Sequence, residues 1–312
     1  VPEAGYRGPV IDAHHHLWQL ADDRYPWLRP GVLVPHRYGD YSAIKHDYTA
    51  ADLLRDTAGQ GVVATVSMEA EWDPAEPVGE TRSLERVAAT TGVPGAMAAQ
   101  ARLDADDVAE VLAAQASHPS VRSIRHKPGG PARLEQVGSG RTRMSDQTWR
   151  AGYALLADHG LHFELQTPWW NLHEAAELAV DHPETLIVVN HAGVLLDHGA
   201  RTMRGWRAAL AELADLPNVV VKASGLCTEA DGWDQFVNRE VVLTLVGLYG
   251  AERVMFGSNF PVDGMFTTYA AMLDGFRDIL ADLPAAGQRA VFHDTAARVY
   301  RPTRIHQPAS AS

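Results

Sequence analysis

The sequence predicts a (β/α)8 TIM barrel of the α/β class, and three observations carry that expectation. Eight short β-branched runs alternate with longer helical patterns along the chain. The length, 312 residues, suits one such barrel with loop insertions. No glycine-rich phosphate turn follows the first run, which counts against the open doubly wound sheet that the same alternation would also allow.

The strands are expected at residues 10–12, 62–68, 95–100, 121–125, 161–166, 186–189, 219–222 and 253–256. Helical patterns separate them, at 50–60, 81–91, 106–117, 145–159, 172–181, 202–214, 236–249 and 268–280. Two stretches break the rhythm. Residues 18–47, rich in Pro, Tyr, Arg and Trp, are too long for a plain connection after strand one and are expected to form a lid or wall. Residues 127–143, rich in Gly, Pro and Arg, would form a second flap after strand four. No linker divides the chain, so a single domain over residues 1–312 is expected, with a frayed tail at 301–312.

Composition narrows the function. Hydrophobic residues make up 46% and charged residues 21%, a globular balance. A net charge of −12 argues against a nucleic-acid partner, since phosphate binding needs a basic face. It does not exclude a small anionic substrate. The lone Cys227 has no partner for an intramolecular disulfide. The first eight residues carry neither a basic nor an apolar run, and no stretch approaches the ~18 apolar residues of a membrane span. The expectation is a cytoplasmic protein acting on a small molecule, with a homo-oligomer allowed.

Chemistry concentrates at the predicted strand ends. In Ile11-Asp12-Ala13-His14-His15-His16, residues two apart share a strand face, so His14 and His16 would point to the barrel axis and His15 away. Two converging imidazoles suit a divalent metal. His191 closes strand six and His126 ends strand four, flanked by Arg125 and Lys127. Glu69 and Glu71 follow strand two. Lys222 and Ser224 near the end of strand seven would hold a substrate carboxylate or hydroxyl. Arg133, Arg141 and Arg143 in the second flap are candidate anion clamps. Trp18, Trp27, Trp169 and Trp170 would supply apolar walls or plain core packing.

The opening block, continued by Leu17-Trp18 and by Arg24-Tyr25-Pro26-Trp27-Leu28, resembles the amidohydrolase-2 group of lactone hydrolases. The resemblance recurs at Val189-Asn190-His191-Ala192-Gly193, at Lys222-Ala223-Ser224-Gly225-Leu226 and at Met255-Phe256-Gly257-Ser258-Asn259-Phe260-Pro261-Val262. Val291-Phe292 to Val299-Tyr300 is similar to that group's final helix. These blocks lie in order over nearly the whole chain. The resemblance implies hydrolysis of a small lactone, of sugar-acid or aromatic-degradation type, or of a related cyclic amide. It implies a divalent metal, zinc above all, held by His14, His16, His191 and Glu69, although some members of the group work without a metal.

One residue departs from the pattern. Where the group places an aspartate on strand eight, this chain has Asn259, whose amide cannot act as a general base near neutral pH. Either Glu69 or Asp263 takes over that work, with Glu69 preferred, or the barrel runs decarboxylation, isomerisation or elimination instead, or it binds without turnover. His126 and an arginine would orient the substrate.

Overall fold

In the computed structural model, which describes residues 5–34, 39–138, 140–228 and 232–304, the β-branched runs become eight strands in one parallel sheet of sequential order. They are β1 (Val10–His15), β2 (Val62–Met68), β3 (Ala96–Gln100), β4 (Val121–Arg125), β5 (His162–Leu165), β6 (Ile187–Val189), β7 (Val219–Ala223) and β8 (Val254–Phe256). The eight-stranded alternation is therefore that of a (β/α)8 barrel. The seam between β8 and β1 is closed by the loop that follows β8. The Asn259 N–H donates to the His14 carbonyl at 2.7 Å, and the His16 N–H to the Phe260 carbonyl at 2.8 Å.

Helices α1 (Ala50–Asp56), α2 (Gly79–Thr91), α3 (Val108–Ala116), α4 (Gln147–Asp158), α5 (Leu172–Asp181), α6 (Ala200–Ala214), α7 (Gln235–Tyr249) and α8 (Tyr269–Ile279) follow the strands. Their starts are set by side chains that accept the otherwise orphaned first N–H groups. Thr49 forms a capping box with Asp52 before α1, while Asp146, Asp234 and Thr268 cap α4, α7 and α8. The expected final helix is broken: α9 (Ala285–Arg289) and α10 (Thr295–Tyr300) are joined by a π-helical turn at Ala290–Asp294.

Inside the barrel, Ile11, Ala13, Val66, Met68, Val188 and Met255 form one apolar cluster, which Val299 and Tyr300 of α10 join. After α10 the Thr303 N–H donates to the Gly95 carbonyl at 2.9 Å, and Arg122 donates to the Arg301 carbonyl at 3.3 Å. The rest of the expected tail lies outside the described residues. Among the described residues, no helix is long and apolar enough to cross a membrane.

Candidate active site

Strand β1 does not run straight to its histidines. Its pairing with β2 slips between Asp12 and His15, a bulge that re-aims the side chains beyond it. Ile11 and Ala13 thus face the inner cluster, and His14 and His16 follow them to the axis. The His14 ring lies 4.4 Å from that of His191 and 5.3 Å from that of His16, centroid to centroid. His15 is fully buried, and burial pushes its pKa down to about 3.

The irregular strand end is held by Asp12. Its carboxylate accepts from the Ser258 N–H at 2.9 Å, the Ser258 hydroxyl at 2.6 Å, the Tyr269 hydroxyl at 3.2 Å and the His14 N–H at 3.1 Å. It locks β1 to the loop after β8. At Gly257 a Cβ would come within 2.7 Å of the His14 Cβ, so only glycine lets the seam close.

Burial drives the pKa values of His14 and His16 well below the usual histidine range, with neighbouring imidazoles and Arg125 adding to the effect. Both rings are neutral near pH 7. The His16 Nδ1 lies 3.0 Å from the Met68 carbonyl, which can only accept, so the proton sits on Nδ1 and a lone pair on Nε2. The His191 Nδ1 is paired with the Ser224 hydroxyl at 3.0 Å.

Buried, neutral imidazoles are what a divalent ion binds, and both ring nitrogens of His14 lack a hydrogen-bond partner among the described residues. By donor type the histidines fit such an ion. Yet among the described residues no three His, Cys, Asp or Glu side chains converge closely enough to enclose one.

The expected fourth ligand, Glu69, has its carboxylate engaged by Arg125. Its carboxylate accepts from the Arg125 Nε at 2.5 Å, and Arg125 also donates to the Glu69 carbonyl and, at 3.1 Å, to Gln166. A carboxylate so engaged is a poor candidate for a free base. The second candidate, Asp263, is buried behind Asn259, whose Nδ2 donates to its Oδ1 at 2.8 Å. Only the amide nitrogen can face a carboxylate, so this contact sets which way Asn259 points. Asn259 sits in the left-handed region (φ 57°), which asparagine tolerates better than most residues.

Above the histidines a cleft opens, lined by His16, His191, Asn259, Arg125, Lys127 and Gln166. Trp18, Trp27, Val34, Tyr41 and Ile44, from the long loop after β1, wall its other side. That loop is the expected wall; residues 35–38 within it lie outside the described residues. Glu71 lines the cleft and is ion-paired with Lys127. Gln166, at the end of β5, escaped the sequence reading, although it lies two residues beyond the inward Glu164.

Other expected residues are elsewhere. Lys222 is fully buried below the cleft, where its Nζ donates to Glu164 at 2.8 Å. Glu164 also accepts from the hydroxyls of Tyr300 at 2.5 Å and Ser123 at 3.1 Å and from Asn190 Nδ2 at 2.6 Å. Burial pushes the Lys222 pKa down to about 8, against the pull of Glu164. His126 opens on a neighbouring chamber, not on this cleft. Arg141 and Arg143 pair with Glu177 and Asp104, Arg133 is exposed, and none of the three lines the cleft. Trp169 and Trp170 are core residues in edge contact at 5.6 Å.

Comparison with known proteins places this geometry. The family model for amidohydrolase (Amidohydro_2) matches residues 11–301. The chain is 37% identical over 297 residues to the uncharacterized protein y4mH of Sinorhizobium fredii, covering 94% of this chain and 98% of that one. It is 27% identical over 315 residues to L-fucono-1,5-lactonase of Burkholderia multivorans, covering 96% and 98%. A crystal structure of an amidohydrolase from Burkholderia multivorans with bound zinc superposes with a TM-score of 0.78 at 26% identity, covering 94% of this chain and 99% of that one. In fold alone, 2,6-dihydroxybenzoate decarboxylase from Rhizobium is also similar, with a TM-score of 0.64 at 14% identity over 94% and 99% of the two chains. This chain belongs to the amidohydrolase-2 family, as a barrel enzyme of the amidohydrolase superfamily.

Proposed function

We propose that the protein hydrolyses a small sugar-acid lactone in the cleft above His14, His16 and His191. The observation that carries this reading is the meeting of three imidazoles from two strand ends beneath a cleft whose opposite wall donates hydrogen bonds. The relatives named as L-fucono-1,5-lactonases support the lactone; the charge balance of the cleft supports a neutral one. Arg125 faces Glu69 and Lys127 faces Glu71, so neither cation is left over for a substrate carboxylate.

In this mechanism Arg125, Lys127 and Gln166 hold the ring oxygens, and the tryptophan wall excludes water from the ring's apolar face. His191, braced through Nδ1 by Ser224, takes the proton of the attacking water and returns it to the ring oxygen as the acyl C–O bond breaks. Ser224 then acts on the histidine rather than on the substrate. A divalent ion, zinc by the precedent of the Burkholderia amidohydrolase, would be held by His14 and His16; when bound it supplies Lewis-acid polarisation of the carbonyl. His191 is left to the proton because its Nδ1 is already occupied.

The reading is tested by proton release from a panel of sugar 1,5-lactones, against the spontaneous rate and before and after chelation. Opening of at least one lactone, abolished in His191→Asn, is the expected result. Asn259 favours one alternative, decarboxylation of a hydroxyaromatic acid, because that chemistry does not need the missing aspartate to activate water. Carbon dioxide release from such acids, with no lactone opened, would replace the first reading with the second.

A further inference from the structure

Beside the histidine cleft lies a second chamber of about 420 Å³, while the cleft itself measures about 200 Å³. Trp27, Val34, Glu71, Arg125 and Lys127 line both, so the two spaces adjoin. Small-molecule sites usually run from about 300 to 1,000 Å³. The cleft alone falls short of that range, and the pair falls within it.

The chamber's polar groups define its chemistry. The His126 Nδ1 accepts the Leu103 N–H at 3.1 Å and the Trp149 Nε1–H at 3.0 Å. Two donors on one nitrogen fix the tautomer: the ring proton is on Nε2, so His126, which lines the chamber, carries a neutral donor. Gln100, on the adjoining strand end, has a side-chain oxygen with no hydrogen-bond partner among the described residues. A neutral donor and a buried, unused acceptor in the lining of one chamber suit hydroxyl groups, which can both accept and donate.

Charge in the chamber is balanced. Arg102 faces Asp104 at 3.5 Å, Arg125 faces Glu69 at 2.5 Å, and Lys127 is paired with Glu71. Pro26, Trp27, Trp72 and Pro74 supply apolar faces. A carboxylate would have to break one of these pairs to be held; a sugar ring would not.

We propose that this chamber is a subsite for a second, neutral polyhydroxylated ring, so that the substrate is a lactone carrying a glycosyl substituent. The proposal rests on the lactone reading of the adjoining cleft for the first ring only. The second ring enters past Trp27 and the Lys127–Glu71 pair, and its hydroxyls meet His126 and Gln100.

Binding can be read from tryptophan fluorescence or calorimetry with lactam analogues that do not open: glucono-1,5-lactam with one ring and cellobiono-1,5-lactam with two. The two-ring lactam should bind about tenfold tighter or better. Gln100→Leu should remove that gain and leave one-ring binding unchanged, and a glucuronyl counterpart of the second ring should bind more weakly than the neutral one. Equal affinity for one and two rings, a gain that survives Gln100→Leu, or preference for the acidic ring would each overturn the proposal. Should the one-ring lactam not bind at all, the lactone reading fails by itself. Cellobiose then decides the chamber, with Gln100-dependent binding supporting it and no binding overturning it.

Discussion

The barrel axis carries two polar centres stacked one above the other, and they are built on opposite rules. In the lower one, Glu164 meets an ammonium, two hydroxyls and an amide, and Lys222 also lies 5.0 Å from the Tyr300 ring centre. Here a buried charge is surrounded until its needs are met. In the upper one, neutral imidazoles crowd together and His14 keeps two unused nitrogens among the described residues. Unmet polar atoms in a buried place cost stability, and a fold retains them where a ligand completes them. Similar residue types on the same axis are thus structural at one depth and chemical at another.

If that contrast is right, the upper centre can be cut without harm to the fold. His191→Asn should lower lactone turnover by about 10²- to 10⁴-fold, the usual worth of a positioned acid–base group. Its thermal midpoint should stay near that of the parent. A variant that unfolds early would place His191 in the structural class instead.

Cutting the lower centre should do the reverse. Lys222→Met leaves Glu164 buried without its counter-charge, and breaking such a pair costs about 3–5 kcal/mol. Denaturant unfolding would measure it. Adding Glu164→Gln to the same chain should restore most of the loss, because an amide can still meet Tyr300 and Ser123. Unchanged stability in Lys222→Met would end the distinction between the two centres.

Depth is also where sequence reading met its limit. The strands themselves were legible, and β2 and β4 have the expected bounds, because β-branched runs mark strands locally. That His14 and His16 share a face follows from the period of a strand. That both follow Ile11 and Ala13 inward depends on the slip against β2, a property of the pairing and not of the strand. Lys222 is expected to hold substrate and instead lies buried against Glu164, because alternation tells inward from outward but not how far down the axis a side chain lies. The partner of Glu69, Arg125, is 56 positions away on another strand, so their pairing leaves no local trace. Asp12 stood within the quoted motif, yet its work on Ser258, across the seam, leaves no local trace.

Smaller in expected effect than a cut at either centre is one at the pair behind the cleft. Asp263→Asn replaces a pure acceptor by an amide, so the Asn259 side chain is no longer held in one orientation. The expected result is a fall in kcat of about tenfold, the worth of one misdirected hydrogen bond, with KM little changed. Full rescue of kcat by Asp263→Glu would confirm that the carboxylate, not the packing, sets the amide. An unaltered kcat in Asp263→Asn would show that the pair only closes the loop.

The smallest effect concerns pH, and it separates the two levels by sign. Glu80 lies behind the cleft wall, where it accepts from the Ala70 N–H at 3.1 Å and the Tyr25 hydroxyl at 3.2 Å. Burial, with the charge of Glu69 nearby, raises its pKa from the ordinary 4.5 to about 8. Between those values the folded chain holds a proton that the unfolded chain has released, so this group's contribution to stability falls as pH rises from about 4.5 to 8. Glu164 behaves oppositely: burial pushes its pKa up, but Lys222 and the hydrogen-bond donors outweigh it and the net shift is downward. Its contribution is present above the ordinary carboxylate range and is lost as pH falls through its lowered value. Glu80→Gln should therefore raise the thermal midpoint at pH 8 by a few degrees, each kcal/mol being worth about 2–4 °C in a domain somewhat smaller than this one. At pH 5 it should change little, and the acid limb governed by Glu164 should stay where it was. A midpoint raised equally at both pH values would mean that Glu80 is charged throughout, and the wall behind the cleft would then be built on the same rule as the interior.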